Sequence, residues 1–204
     1  MPQARKDEIS WLPGQYYHLY NRGARRVTIF REEQNYLFVL RKAKHYCHEL
    51  NVTMIAYCLM PNHYHFLVRQ DGDKAARLLP QSVFNSYSKA YNKLYTHSGT
   101  LFESRYKAKQ IEQDEYLRHI CRYIHINPVK DGLNPVKDGL AVAPELWPYS
   151  NYLEWIGKRP GTLVDQRFIQ EHFSTSENYR TFVLSWLAGK QQMPQALADY
   201  LSML

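Results

Sequence analysis

The sequence contains no run of about 18 uninterrupted apolar residues, the length that a membrane-spanning helix needs. Residues 1–9 are polar, so no secretory signal is indicated. Cysteine is scarce: Cys47, Cys58 and Cys121 have no CxxC spacing, which argues against a disulfide framework and against a structural zinc ribbon. We therefore expect a cytoplasmic protein whose cysteines are reduced, buried thiols.

Glycine-rich phosphate-binding patterns and an excess of acidic residues are also missing. The glycines form neither a P-loop nor a dinucleotide-binding pattern, so nucleotide-dependent chemistry is not expected. Residues 1–150 carry 21 Lys+Arg against 14 Asp+Glu, whereas residues 151–204 carry five of each, so the net charge of +7 lies in the first part. This charge, with 17 tyrosines on which bases could stack, favours a polyanionic partner. A basic but inert surface is the alternative.

Hydrophobic periodicity predicts seven elements in the order βαββαβα. Their approximate ranges are 15–21, 31–51, 52–59, 64–69, 80–94, 106–111 and 114–128, with an edge strand at 106–111 and Pro128 ending the last helix. Four strands with the helices gathered on one face predict a ferredoxin-like α+β fold with a four-stranded antiparallel sheet.

Domain boundaries follow from composition. We assign residues 1–14 to an N-terminal arm, 15–150 to the main domain and 151–204 to a neutral accessory tail with helices near 168–173, 179–187 and 194–204. Residues 127–140 read NPVKDGL twice. Because each copy contains Pro and Gly, the repeat predicts a duplicated turn rather than a coiled coil, and no catalytic role is expected for it.

His63 and His65 are the first candidates for chemistry. In a strand, positions i and i+2 face the same way, so two imidazoles would project side by side toward one metal. An isolated pair of this kind is more often structural, and a catalytic cation needs further donors. Tyr123 and Asn127, four residues apart on one face of the last helix, could supply a phenol and an amide oxygen. Tyr116 lies on the same face, but a core aromatic is the better interpretation there; for Tyr123 both interpretations stay open.

Three strings together resemble the REP-associated tyrosine transposases, a branch of the single-tyrosine HUH transposases. They are PNHYHFLV (61–68), GTLFESRYK (99–107) and DEYLRHICRYIHINPVKDGL (114–133). The resemblance runs from about Tyr16 to Tyr152, with Tyr64 at the bulky middle position of the HUH motif. It implies that residues 15–150 form an HUH catalytic domain, that Tyr123 is the nucleophile, and that Asn127 joins His63 and His65 as a metal ligand. Tyr116 matches a common family tyrosine that is not the nucleophile, and the second NPVKDGL copy departs from the family pattern.

The same resemblance implies metal-dependent cleavage and rejoining of single-stranded DNA beside a palindromic hairpin through a 5′-phosphotyrosine intermediate. Mg²⁺ or Mn²⁺ suits the mixed imidazole and amide ligands, and Zn²⁺ is chemically possible. The enzyme would be a monomer or a homodimer. Our candidates for DNA backbone contacts are basic residues after the first strand and near the nucleophile: Arg22, Arg25, Arg26, Arg105, Lys107, Lys109 and Arg122.

Two rival functions remain at this point. The chain could be a non-catalytic binder of hairpin nucleic acid that keeps the sheet and the basic face. It could also be a metal phosphodiesterase that uses water, with Tyr123 structural. Only a covalent protein–DNA adduct would distinguish the tyrosine transferase from both.

Overall fold

The computed structural model describes residues 9–130, 141–191 and 193–202. The elements of the main domain are β1 (Tyr16–Arg22), α1 (Glu33–Leu50), β2 (Val52–Met60), β3 (His63–Gln70), α2 (Leu78–Tyr95), β4 (Lys107–Ile111) and α3 (Asp114–Lys130). After residue 140 come α4 (Tyr152–Trp155), α5 (Arg167–Phe173), α6 (Ser176–Leu187) and α7 (Gln195–Ser202). The predicted βαββαβα order and helical tail are confirmed. No helix in these ranges is long and apolar enough to cross a membrane.

The four strands form one sheet in the order β2-β3-β1-β4, and every neighbouring pair is antiparallel. This order places β1 and β3 in the centre, as in a ferredoxin-like sheet. β2 and β3 form the predicted hairpin around Pro61 and Asn62, and β4 lies at an edge, where its side chains alternate between exposed and partly buried. The ferredoxin-like prediction is confirmed.

Helices cover both faces of the sheet, so the expectation that they gather on one face is wrong. Neighbouring residues of β3 show this. The ring of Tyr64 stacks on Phe84 of α2 with centroids 3.9 Å apart, whereas His65, on the opposite face, meets Tyr123 of α3 at 5.5 Å. The physical reason is that nearly every residue of β2 and β3 is buried, which requires cover on both sides.

α3 continues through Asn127 and Pro128, so the expectation that Pro128 ends the helix is also wrong. Pro128 has no backbone N–H to donate to the carbonyl of Ile124, so the helix continues with one hydrogen bond missing. Asn127 is therefore held within the helix and not at its terminus. Residues 1–8 of the predicted arm and residues 131–140 of the repeat lie outside the described residues.

The chain after residue 140 packs directly on β2. The side-chain oxygen of Asn151 accepts a hydrogen bond from the backbone N–H of Tyr57 at 2.7 Å, and its amide donates to the carbonyl of Ile55 at 3.2 Å. The backbone N–H of Asp165 donates to the carbonyl of Met54 at 3.0 Å. The tail thus contributes to the same core as the sheet.

Candidate active site

His63 and His65 occupy the first and third positions of β3 and face α3. The Nε2 atom of His63 lies 3.0 Å from Oδ1 of Asn127, and Nε2 of His65 lies 3.5 Å from Nδ2 of the same side chain. All three side chains are buried. The strand alternation and the helix position together bring the two imidazoles and the amide to one point, as the sequence predicted.

Tyr123 lies one helical turn before Asn127, on the same face of α3. Its ring stands edge-on to the ring of His65 with centroids 5.5 Å apart, and the residue is 8% exposed. The structure therefore brings the predicted nucleophile to the predicted ligands. Tyr116 is partly buried against the hydrophobic core, which is consistent with the structural interpretation that we preferred for it.

Hydrogen bonds fix the orientation of both imidazoles. Nδ1 of His63 lies 2.7 Å from Oδ1 of Asn62, and Nδ1 of His65 lies 3.0 Å from Nε2 of His18. Because Oδ1 of Asn62 can only accept, Nδ1 of His63 donates to it. In the neutral ring the lone pair is then on Nε2, the nitrogen that faces Oδ1 of Asn127, so a cation held at this point would meet a ring nitrogen and an amide oxygen.

Two buried histidines of this face, His65 and His18, have pKa values that keep them neutral at neutral pH. Burial lowers the pKa of His65 well below its usual value, and the neighbouring His18, His63 and Arg22 lower it further. Burial also lowers the pKa of His18 to about 3. A metal ligand must be the neutral imidazole, so this environment favours ligation.

These donors fit a divalent cation. Ligands about 2.1 Å from an octahedral ion, at right angles to one another, lie about 3 Å apart, which matches the 3.0 Å between Nε2 of His63 and Oδ1 of Asn127. Across the residues that the structure describes, no group of three or more His, Cys, Asp or Glu side chains could hold a metal. The third donor here is an amide oxygen, and such oxygen donors suit Mg²⁺ and Mn²⁺.

A cavity of about 40 Å³ opens beside the two histidines at the end of β1. Its lining includes Tyr20, Arg22, Glu103 and Lys107 in addition to His63 and His65. Arg22 and Lys107, two of the predicted backbone contacts, therefore flank the candidate metal site, where a phosphate would meet positive charge.

The other predicted DNA contacts lie farther out. Arg105 lines a second, larger cavity that adjoins the first. Lys109 is exposed on β4, with its Nζ 6.0 Å from the ring centre of Tyr200. Arg25 and Arg26 are exposed in the turn after β1 and have left-handed φ values of 52° and 61°. All four lie at the surface.

Arg122 is a correction, because the structure buries it completely. Its guanidinium packs over the rings of Phe182 and Trp186, 4.4 and 4.0 Å from their centres, and donates to Gln191 at 2.5 Å. Burial lowers its pKa to about 10. Arg122 points away from Tyr123 into the tail, a position that does not fit a contact with a DNA backbone.

His18 and Tyr200 are two further residues of the site that were not predicted from the sequence. Nδ1 of His18 lies 2.7 Å from the hydroxyl of Tyr200 in α7, so the tail reaches the histidine pair through His18. His18 could have been found from strand alternation, which places it on the same face of β1 as Tyr20. Tyr20 is the register partner of His65. Tyr200 lies 182 residues farther along the chain, and no spacing in the sequence links the two.

Comparisons with known proteins give a family match. The family model described as "Transposase IS200 like" matches residues 12–127, which include the histidine pair, Tyr123 and Asn127. A comparison with curated proteins gives no significant match.

Two solved structures are similar. One is a REP-associated tyrosine transposase bound to a REP hairpin, at 18% sequence identity and a TM-score of 0.58, covering 79% of this chain and 94% of that one. The other is a putative transposase from Deinococcus radiodurans R1, at 16% identity and a TM-score of 0.40, covering 61% of this chain and 95% of that one. The first similarity supports the fold described above.

Proposed function

Because the chain belongs to the family of IS200-like transposases, we propose that it cleaves and rejoins single-stranded DNA beside a hairpin through a 5′-phosphotyrosine bond at Tyr123. One observation carries the proposal: the ring of Tyr123 lies 5.5 Å from His65, within the cluster of His63, His65 and Asn127. We infer the hairpin as the DNA partner from the similar solved structure, which has a REP hairpin bound.

His63, His65 and Asn127 would hold a divalent ion, Mg²⁺ or Mn²⁺. When bound, the ion would polarise the phosphate and stabilise the charge that develops on it. The chain's own contribution is to keep the imidazole of His65 neutral and to hold Asn127 within a helix. Arg22 and Lys107, beside the histidines, would bind the phosphate oxygens.

In the cleavage step the phenol oxygen of Tyr123 attacks phosphorus and forms a phosphotyrosine ester. The bond from phosphorus to the 3′ oxygen breaks, and the proton lost by the phenol is balanced by the proton gained at the free 3′ hydroxyl. Attack of a 3′ hydroxyl on the same ester reverses the step. Since one phosphodiester replaces another, rejoining needs no external energy source.

The test is an incubation of hairpin DNA that has unpaired extensions with Mn²⁺ or Mg²⁺ and wild-type protein, Tyr123→Phe or Tyr116→Phe. A denaturing gel separates free DNA, cleaved DNA and covalent adduct. We expect an adduct with the wild type and Tyr116→Phe, and none with Tyr123→Phe, because phenylalanine has no nucleophilic oxygen.

Each rival function has its own outcome in this assay. Cleavage without an adduct that persists in Tyr123→Phe would indicate a phosphodiesterase that uses water. Binding without cleavage under any metal would indicate a non-catalytic hairpin binder. An adduct that disappears in Tyr116→Phe and persists in Tyr123→Phe would show that we assigned the wrong tyrosine.

A further inference from the structure

A second cavity, of about 200 Å³, lies between α2 and the loop before β4. It shares Asn21 and Ser104 with the smaller cavity that contains His63 and His65, so the two adjoin. The proposed function uses only the smaller cavity. The larger one has room for a planar ring, since a single water occupies only about 30 Å³.

Aromatic rings form one wall of the larger cavity. Tyr64 and Phe84 stack with centroids 3.9 Å apart, and Phe102 stands edge-on to Phe84 at 5.3 Å. Tyr64 and Phe84 are buried in the hydrophobic core, and they hold Phe102, the partly exposed ring of the three, in place. Phe102 therefore offers a stacking surface for a nucleobase, and such stacking tolerates any base.

The cavity also has polar lining residues. Gln81 and Asn85 lie four residues apart on α2, both are exposed, and both line the cavity. Each amide offers a donor and an acceptor side by side, which is the chemistry that proteins use to pair with the edge of a base. The aromatic and amide lining residues together therefore provide stacking and edge recognition within one cavity.

Positive charge lies at the rim. Arg105 lines the cavity. Burial raises the pKa of Tyr106, and the nearby guanidinium groups of Arg105 and Arg77 lower it in part. Both cations therefore lie close to Tyr106, a further lining residue. Among the described residues that line this cavity, none carries a carboxylate. An anionic backbone entering the cavity would meet attraction at its rim.

We propose that this cavity binds one unpaired base of the single-stranded DNA, next to the phosphate held at His63 and His65. The inference rests on the proposed function, because it takes the same DNA as ligand. Phe102, held in place by Tyr64 and Phe84, stacks on the base, and Gln81 and Asn85 carry the base preference at that nucleotide. The adjoining cavities give neighbouring positions to a base and to a phosphate of one strand.

The test pairs a protein change with a DNA change. Fluorescently labelled hairpin DNA with unpaired extensions is prepared as a series in which each unpaired nucleotide in turn is abasic. Binding is measured by anisotropy in EDTA with wild type, the double variant Gln81→Ala/Asn85→Ala, and Gln34→Ala. Gln34 is an exposed glutamine on α1 that does not line the cavity, so it is the matched control.

We expect one abasic position to weaken wild-type binding about tenfold, while its neighbours have little effect. The double variant should bind unmodified DNA several-fold more weakly, should lose most of the penalty at that abasic position, and should melt at the wild-type temperature. The control should behave as wild type. Phe102→Leu, which shortens the wall, should also reduce the abasic penalty.

Three results would overturn the base-binding cavity: no position-dependent abasic effect, strictly additive losses from the protein and DNA changes, or no binding of this DNA by wild type. Because the assay contains no metal, it is independent of the adduct test. If no adduct forms but the abasic effect is present, the tyrosine chemistry is rejected and the base-binding cavity is supported. If the adduct forms but the binding losses are additive, the tyrosine chemistry is supported and the base-binding cavity is rejected.

Discussion

His65 is oriented by a row of polar side chains that reaches into the last helix. Its Nδ1 lies 3.0 Å from His18, and His18 lies 2.7 Å from the hydroxyl of Tyr200. With Nδ1 of His65 as donor, Nε2 of His18 accepts, and Nδ1 of His18 donates to Tyr200. Groups that orient a ligating imidazole in this way contribute to metal affinity without touching the metal.

We therefore expect Tyr200→Phe to weaken Mn²⁺ binding about tenfold, because His18 loses its partner and no longer holds His65 in one orientation. Free Mn²⁺ is measured by electron paramagnetic resonance during titration of the protein without DNA. Tyr95→Phe is the matched control, since it removes a tyrosine hydroxyl bonded to Asn35 at 3.0 Å on the other face of the sheet. Equal affinities for the two variants would contradict the orienting role of Tyr200.

The site residues divide into those that sequence patterns could predict and those that they could not. His63 and His65 follow from strand alternation, and Tyr123 and Asn127 from helix periodicity, so each pair depends on one element only. Their convergence depends on which face of the sheet α3 occupies, and periodicity does not specify this. Arg122 shows the limit, because its neighbour Tyr123 faces the site while Arg122 itself is buried under α6.

At the scale of elements, α3 is buried on two sides, and different polar residues form its contacts on each side. Tyr123 and Asn127 face the sheet, whereas His125 lies 2.8 Å from the side-chain oxygen of Asn151 and also contacts the hydroxyl of Tyr179 in α6. Asn151 in turn bonds the backbone of β2. The side-chain amide of Asn151 thus connects the central sheet, α3 and the tail.

Asn151→Ala should lower the free energy of unfolding by about 3 kcal/mol, because the N–H of Tyr57, the carbonyl of Ile55 and His125 all lose a buried partner. Urea unfolding followed by circular dichroism measures the change. Asn178→Ala is the control: it removes an exposed asparagine whose amide donates to the carbonyl of Phe173 within the tail, and we expect less than about 1 kcal/mol for it. Similar losses for both variants would mean that Asn151 does not connect the tail to the sheet.

The sequence predicted the elements well because their patterns are local. Strand alternation in β1 and the left-handed Asn51 that ends α1 are properties of a few neighbouring residues. The two expectations about elements that failed concern more than a few neighbouring residues. Pro128 alone does not decide where α3 ends, and whether helices cover one face or two depends on the burial of both sides of β3. The boundary at residue 150 stays a proposal, although Asn151 directly contacts β2.

At the scale of the whole molecule, the distribution of charge distinguishes the main domain, which carries the positive charge that DNA binding requires, from the tail. All of the net charge of +7 belongs to residues 1–150, and the tail is neutral. Exposed basic residues occur at the turn after β1 and along β4, around the two adjoining cavities. Since bound cations displace the counterions of DNA, each lysine that contacts a phosphate contributes to the salt dependence of binding.

Lys107 and Lys109 project from β4 toward the face that contains Tyr20 and His18, their register partners in β1. If both contact phosphates, Lys107→Gln/Lys109→Gln should make the slope of log K against log salt shallower by about 1.4 for single-stranded DNA. Anisotropy titrations in EDTA at several salt concentrations measure the slope. Lys158→Gln/Lys190→Gln removes the same charge from exposed positions in the tail. If the attraction is only a general one between opposite charges, the salt slope should change equally for both double variants. If the single-stranded DNA runs along β4, the slope should change only for Lys107→Gln/Lys109→Gln, because counterion release depends on the number of phosphate contacts and not on net charge.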